Sequence, residues 1–233
     1  MSKTEAVAIL MQKAVQQGAL PGVVVAAGSR HDVILEYAAG VRRLGAAERM
    51  TRDTVVWIAS MTKAVVAAAA MRLVEQRRLS LDAPAAAVLP TLGQMPVLEG
   101  FDASGEPMLR PARRPMTLRH LLTHTSGYGY DTWSPAIQRY MKAKGIPRVA
   151  TCRNAALDLP LLFDPGEDFA YGIGIDWVGK MVEAVTGQRL GEHLDETFFG
   201  PLGMVDTSFR LRPDMRARLA PIHHRAADGT LTP

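Results

Sequence analysis

One cysteine, Cys152, is the only thiol in 233 residues. No internal disulfide can form, and nothing in the chain points to an oxidising compartment. Long apolar runs are missing too: no stretch reaches the ~18 uncharged apolar residues that a membrane-spanning helix needs. The opening stretch MSKTEAVAILMQKAVQQG breaks its apolar residues with Glu5, Gln12 and Lys13 and offers no small-residue cleavage site, so it does not read as a signal peptide. These absences predict a cytoplasmic protein with no membrane partner. A basic stripe interleaved with aromatics is also absent. The net charge is +4, but the arginine doublets Arg42-Arg43, Arg77-Arg78 and Arg113-Arg114 are scattered beside turns and helix ends, which excludes an obvious nucleic-acid footprint. Metal-ligand spacing fails as well. His120 and His124 bracket "HLLTH", which lacks the glutamate of the zinc-protease motif, and a structural histidine pair is the preferred reading. No metal or organic cofactor is expected. There are no internal repeats.

What is present is ordinary for a chain with a real core: 48% hydrophobic and 21% charged residues. The length suits one large domain or two interleaved small ones. Thr4 to Gln17 reads as an amphipathic helix capped by Thr4, with Val7, Leu10, Met11, Ala14 and Val15 at helical spacing. "GVVVAAGSRHDVILEYAAG" reads as a β-hairpin. Ser60 to Arg78 reads as a helix, alanine-rich and buried nearly all round. Thr91 to Pro115 reads as a long excursion rich in proline and glycine. Thr117 caps a short helix in "TLRHLLTHT", Asp176 caps a helix that stops at Gly187, and another helix starts at Leu190. "DGTL" near the end reads as a turn leading into a further element. His223 and His224 carry no functional argument. A stable sheet needs three or more strands, so further strands are expected to come from beyond Pro233.

The chemistry concentrates in "WIASMTKAVVAAAAMRLVEQ". Residues three apart on a helix share a face, so Ser60 and Lys63 lie within reach of each other. A serine attacks only when a base takes its proton, and the apolar neighbours Ala59, Met61, Ala64 and Val65 suit a lysine with a lowered pKa. The alternative is a helix cap followed by a first-turn lysine. Ser126, in "HTSGYG", is a second serine to weigh, but His124 stands where a hydrolase elbow needs glycine.

Four segments decide between these readings. "WIASMTKAVVAAAAMRLVEQRRLSLDAPAAAVLP" resembles the nucleophile segment of the serine β-lactamase-like superfamily of class C type, and most resembles its family VIII carboxylesterases and transesterases. "TLRHLLTHTSGYGY", "LLFDPGEDFAYGIGIDWVGKMVEAVTG" and "FFGPLGMVDTSF" are similar to later segments of the same family, in the same order. The resemblance implies an α+β fold, a helical domain packed on an antiparallel sheet, the sheet incomplete here. It implies a single β-lactamase-like domain over 1–233, with residues 1–56 in the α/β part, 57–205 mainly helical and 206–233 returning toward the sheet. It also implies roles: Ser60 as acylated nucleophile, Lys63 sharing its proton, Tyr171 as proton relay, and the Ser60 N–H as half of the oxyanion hole. A free tyrosine ionises near pH 10, so the Lys63 ammonium would have to favour the Tyr171 phenolate. Tyr128, Tyr130 and Trp133 are candidates to line the acyl or alcohol pocket, with plain aromatic packing as the alternative. Ile173 occupies a position where the β-lactamases carry asparagine to contact the lactam side chain. An apolar residue there favours esters or thioesters. Gly172, where many relatives have serine, looks like the esterase and transesterase branch.

The family's third motif, a glycine-rich strand that supplies the second oxyanion N–H, has no counterpart. The match therefore covers about the first two-thirds of a family member. The expected function is a serine carboxylesterase or transesterase acting on a small-molecule ester. The alternatives are a penicillin-recognising enzyme, such as a β-lactamase or D-alanyl-D-alanine carboxypeptidase, and an inactive fragment. Self-association through open strand edges, or a complementing C-terminal chain, is expected.

Overall fold

A computed structural model describes residues 2–233. In chain order the elements are helix α1 (Lys3–Gln16), strands β1 (Gly22–Gly28) and β2 (Val33–Gly40), α2 (Thr62–Glu75), β3 (Val97–Phe101), β4 (Pro107–Arg110), α3 (Leu118–Leu122), α4 (Pro135–Lys144), α5 (Gly174–Thr186), α6 (Leu190–Leu194), α7 (Pro213–Ala217), β5 (His224–Arg225) and β6 (Leu231–Thr232). The class is α+β. Two compact units divide the chain, Met1–Ala59 with Val205–Pro233, and Ser60–Met204.

In the first unit, α1 starts one residue earlier than its pattern suggests. Ser2, not Thr4, is the cap: its hydroxyl accepts the Glu5 N–H while the Glu5 carboxylate accepts the Ser2 N–H. The Tyr37 hydroxyl donates to Gln12 Oε1 at 2.7 Å and ties β2 to α1. β1 and β2 pair antiparallel, with Val25 opposite Tyr37 and an irregularity at Ala27/Gly28. The turn between them is closed by Ser29 Oγ, which accepts the N–H groups of His31 and Asp32. Near the end of the chain, "DGTL" turns β5 into β6, with Arg225 opposite Leu231. Val55 bridges in parallel to Leu219, and the Arg218 guanidinium forks onto the Asp206 carboxylate with both bonds at 2.7 Å. His223 Nε2 accepts the Leu44 N–H at 3.2 Å, a structural use for that side chain.

The second unit holds the main core, which gathers Val66, Ala70 and Leu73 of α2, Leu118 and Leu121 of α3, Ile137 of α4, and Val178, Met181 and Val182 of α5. The expectation that α2 is buried nearly all round is corrected. It ends at Glu75, buries Val66, Ala69, Ala70 and Leu73, and leaves Ala64, Ala68 and Met71 exposed. Its alanines give helix propensity more than burial. The proline-rich excursion holds a second hairpin, β3 with β4, anchored by an exchange of backbone bonds in which Leu98 N–H donates to Leu161 C=O and Leu161 N–H to Pro96 C=O, each 2.8 Å. Arg110 and the Arg113 N–H meet on the fully buried Asp164 carboxylate at 2.7–2.9 Å. α4, which the pattern reading did not include, is capped by Ser134, begins with Pro135 and ends on left-handed Gly145. α5 begins at Gly174 and closes on Gly187 as its sequence indicates, but Asp176 lies inside its first turn instead of capping it.

Candidate active site

The first question is whether Ser60 caps a helix. It does not. A 3₁₀ turn over Ala59–Met61 leads into α2, and the N-cap residue of that helix is Met61, with no side-chain cap bond. Ala59 carries φ +45, a left-handed conformation that an L-residue adopts at a cost of about 1–2 kcal/mol. The strain sits immediately before the exposed Ser60, whose hydroxyl is free for another partner. That partner is Lys63: its Nζ lies 3.2 Å from Ser60 Oγ and donates to it.

Tyr171 is brought to the same place by a loop pressed against another loop. Leu162 N–H donates to Gly127 C=O at 2.7 Å, Gly166 N–H to Thr125 C=O at 2.7 Å, and Ala170 N–H to His124 C=O at 2.9 Å. The contact closes at Gly172. A Cβ there would lie 2.2 Å from the Tyr128 carbonyl oxygen, so no larger residue fits without moving one of the loops. Lys63 Nζ then stands 5.0 Å from the centre of the Tyr171 ring and 5.5 Å from that of Tyr130.

The electrostatics divide these groups. Burial opposes the Lys63 charge, but hydrogen bonding to Tyr171 and the neighbouring Tyr130 oxygen outweigh it, so the ammonium is held above its ordinary value. The expectation of a lysine with lowered pKa is therefore corrected: its apolar sequence neighbours are countered by two phenols from elsewhere in the chain. Tyr171 moves the other way. Burial opposes its phenolate, yet hydrogen bonding from Ser60 and Lys63, with the Lys63 charge, brings it below the ordinary tyrosine value. Burial, aided by Asp176, pushes the Tyr130 phenol up.

Of the four pocket candidates, two stand at the site. Tyr130 is half-buried and meets Tyr171 edge to face at 5.6 Å, and Trp133, 66% exposed, lies 5.5 Å from the Tyr171 ring. Tyr128 and Ile173 are corrected. Tyr128 is 1% exposed and stacked on Trp177, and Ile173 is fully buried in the core, so neither offers a surface to a ligand. Ser126 is 1% exposed and is no rival nucleophile.

The two histidines do not act as a pair. His120 Nδ1 accepts the Thr117 N–H and completes the α3 cap. His124, at φ +57, lies 4.6 Å from the Tyr171 ring, and its Nδ1 accepts the Gly172 N–H at 3.4 Å. Burial and the Lys63 charge hold its pKa down, so the ring is neutral with its proton on Nε2. Its short spacing from His120 is the only signal the sequence gives, and it misleads. Asp176 was also missed as a site residue, because its sequence neighbours mark it only as a helix start. Among the described residues no three His, Cys, Asp or Glu side chains cluster to hold a metal ion. No described helix is long and apolar enough to cross a membrane.

Comparison with known proteins identifies the family of the chain. The Beta-lactamase family matches residues 7–233. The chain is 40% identical over 232 residues to acyltransferase mokF of Monascus pilosus, covering 94% of this chain and 56% of that protein. It is 36% identical over 219 residues to lovastatin esterase of Penicillium rubens, covering 91% of this chain and 55% of the relative. Among solved structures, unliganded simvastatin synthase (LovD) from Aspergillus terreus superposes with a TM-score of 0.88 at 36% identity, covering 99% of this chain and 62% of that one. The chain thus spans about half the length of the curated relatives it matches.

Proposed function

This chain belongs to the Beta-lactamase family, and from that premise we propose that it carries the acyl-transfer half of a serine carboxylesterase or transesterase acting on small carboxylic esters. The observation that carries the reading is the Lys63 ammonium placed 3.2 Å from an exposed serine that caps nothing. Tyr171 is the base. Its phenolate, favoured by Lys63, takes the Ser60 hydroxyl proton as Oγ bonds to the ester carbonyl carbon. The Ser60 N–H is one donor to the oxyanion. When the tetrahedral intermediate collapses, the ester C–O bond breaks and Tyr171 returns the proton to the leaving alkoxide. Water or a second alcohol then takes the acyl group from Ser60 by the reverse sequence. Tyr130 and Trp133 flank Tyr171 and supply the aromatic walls for the ester.

Relatives named as an acyltransferase and as a lovastatin esterase support esters over lactams. No feature of the site favours the penicillin-recognising alternative. The test is hydrolysis of a short-chain p-nitrophenyl ester beside Ser60→Ala, with intact-mass and peptide mass spectrometry for an acyl adduct. An adduct on Ser60, absent in the variant, is expected. A folded sample that forms none overturns the reading for this chain.

A further inference from the structure

Two phenols flank one ammonium in this site, and distance alone does not choose between them. Lys63 Nζ is 5.0 Å from the Tyr171 ring centre and 5.5 Å from that of Tyr130, and the two rings touch each other edge to face. What differs is the second partner. The Tyr130 hydroxyl donates to Asp176 Oδ2, a long bond of 3.5 Å. Among the described residues no carboxylate accepts a hydrogen bond from the Tyr171 hydroxyl.

Asp176 is fixed for this role by its backbone. It is in the first turn of α5, and the residues on either side of it in that helix, Ile175 and Trp177, are buried and half-buried. Burial pushes the Asp176 carboxyl above its ordinary value, opposed by the Lys63 charge and the Tyr130 hydroxyl; once ionised, a carboxylate only accepts hydrogen bonds. A phenol beside it must keep its proton to be bonded, and losing that proton would set two anions against each other. The charged and titratable groups that face this pair are Lys63 and Tyr171, while the neutral His124 faces Tyr171 and Lys63.

We propose that Asp176 selects the base: it accepts the Tyr130 hydroxyl and holds that residue as a neutral phenol, so that the Lys63 charge stabilises a phenolate at Tyr171 alone. The inference deepens the acyl-transfer reading and rests on it. Asp176 is a positioning residue that acts through Tyr130 and touches no substrate. The opposite displacements of the two tyrosines agree with it: burial first and Asp176 second raise Tyr130, while, against burial, Ser60 and Lys63 lower Tyr171, and environments that drive paired titratable groups apart assign their roles.

The test reads protonation directly and needs no turnover, so it succeeds or fails separately from the acyl-adduct experiment. The chain is labelled with [13Cζ]-tyrosine, and its five tyrosines are titrated by NMR, with Tyr130→Phe and Tyr171→Phe for assignment. In the native protein Tyr171 is expected to ionise first. In Asp176→Asn, and in Asp176→Ser as a second variant, the Tyr130 midpoint is expected to fall by about one pH unit, the order of effect of removing a neighbouring like charge. A merely structural Asp176 would change the melting temperature and leave the Tyr130 midpoint where it was. An unmoved Tyr130 midpoint in folded variants, or a Tyr130 silent to the alkaline limit in native and variant alike, overturns the proposal.

Discussion

Lys63 illustrates how a single side chain takes its character from residues far away in sequence. Its α2 neighbours are apolar, and burial alone would favour the neutral amine. Tyr171 and Tyr130 reverse that preference, and in return Lys63 lowers the phenol it serves. The direction of both displacements fixes a pH profile. In the proposed mechanism acylation of Ser60 requires the Tyr171 phenolate, so its rate should rise with pH to a midpoint below the ordinary phenol value of 10. It requires the Lys63 ammonium as well, so the rate falls again above 10.5. Acylation rates measured from pH 6 to the alkaline limit should trace this bell. A rate that keeps climbing through the lysine range would make Lys63 the base instead. Tyr171→Phe should slow acylation by ~10²–10⁴, the usual worth of a general base, with the far-UV circular dichroism unchanged. At this scale the sequence was informative where partners are close: Ser60 and Lys63 are one helical turn apart. Tyr171 became legible only through resemblance. His124 and Asp176 join the site through bonds that span 48 and 46 residues, beyond the reach of any local pattern.

Elements bring those residues together, and the glycines of "YGIGI" set how closely. A Cβ at Gly172 would meet the Tyr128 carbonyl oxygen at 2.2 Å, and one at Gly174 would meet the Leu121 carbonyl oxygen at 2.7 Å. Both obstacles are backbone and cannot turn aside like a flexible side chain. Gly172→Ala should therefore destabilise the unit by about 1–3 kcal/mol, the usual cost of overpacking, and should slow acylation by displacing Tyr171. An unchanged melting temperature would sink the close-approach argument. The same contact accounts for the glycine: backbone spacing leaves no room for a Cβ. Helices with ordinary boundary signals were readable, including α3 from Thr117 and the Gly187 stop of α5. The β3–β4 hairpin was not, because its prolines and glycines resemble a loop and its anchor, Leu161, lies far along the chain. The buried end of that hairpin makes a separate prediction. Hydrogen bonds from Arg110, then from the Arg113 N–H, hold Asp164 down to about 2 from its ordinary 3.8. A carboxyl depressed on folding contributes stability that is complete above its unfolded pKa and fades as pH falls through the folded one. Asp164→Asn should accordingly melt below the native chain at pH 7, and the gap should narrow between pH 4 and pH 2. A gap independent of pH over that range would contradict the ion-pair account.

At the scale of the whole molecule the strands leave a problem that the helices do not. Among the described residues they pair only two by two, in three antiparallel ladders. A lone two-stranded ladder is marginal in water, and its open edges are templates for further pairing. The β1–β2 ladder bears the largest liability, since Val33 and Ile34 are 68% and 58% exposed beside an edge that no other described strand occupies. α1 packs on the ladder, but it buries none of its own residues fully and leaves Ile9 and Leu10 exposed. Apolar side chains and unpaired backbone groups on one hairpin favour association of copies of this chain. Light scattering coupled to size exclusion should give a mass that exceeds the 25.3 kDa of one chain and grows with loading. Ile34→Lys places a charge beside the open edge, the device by which natural edge strands resist pairing, and should return the mass toward that of a monomer. A native chain that elutes as a monomer at every concentration would mean that the edge of β1–β2 is protected by its own twist and loops, and self-association would then have no physical basis in this fold.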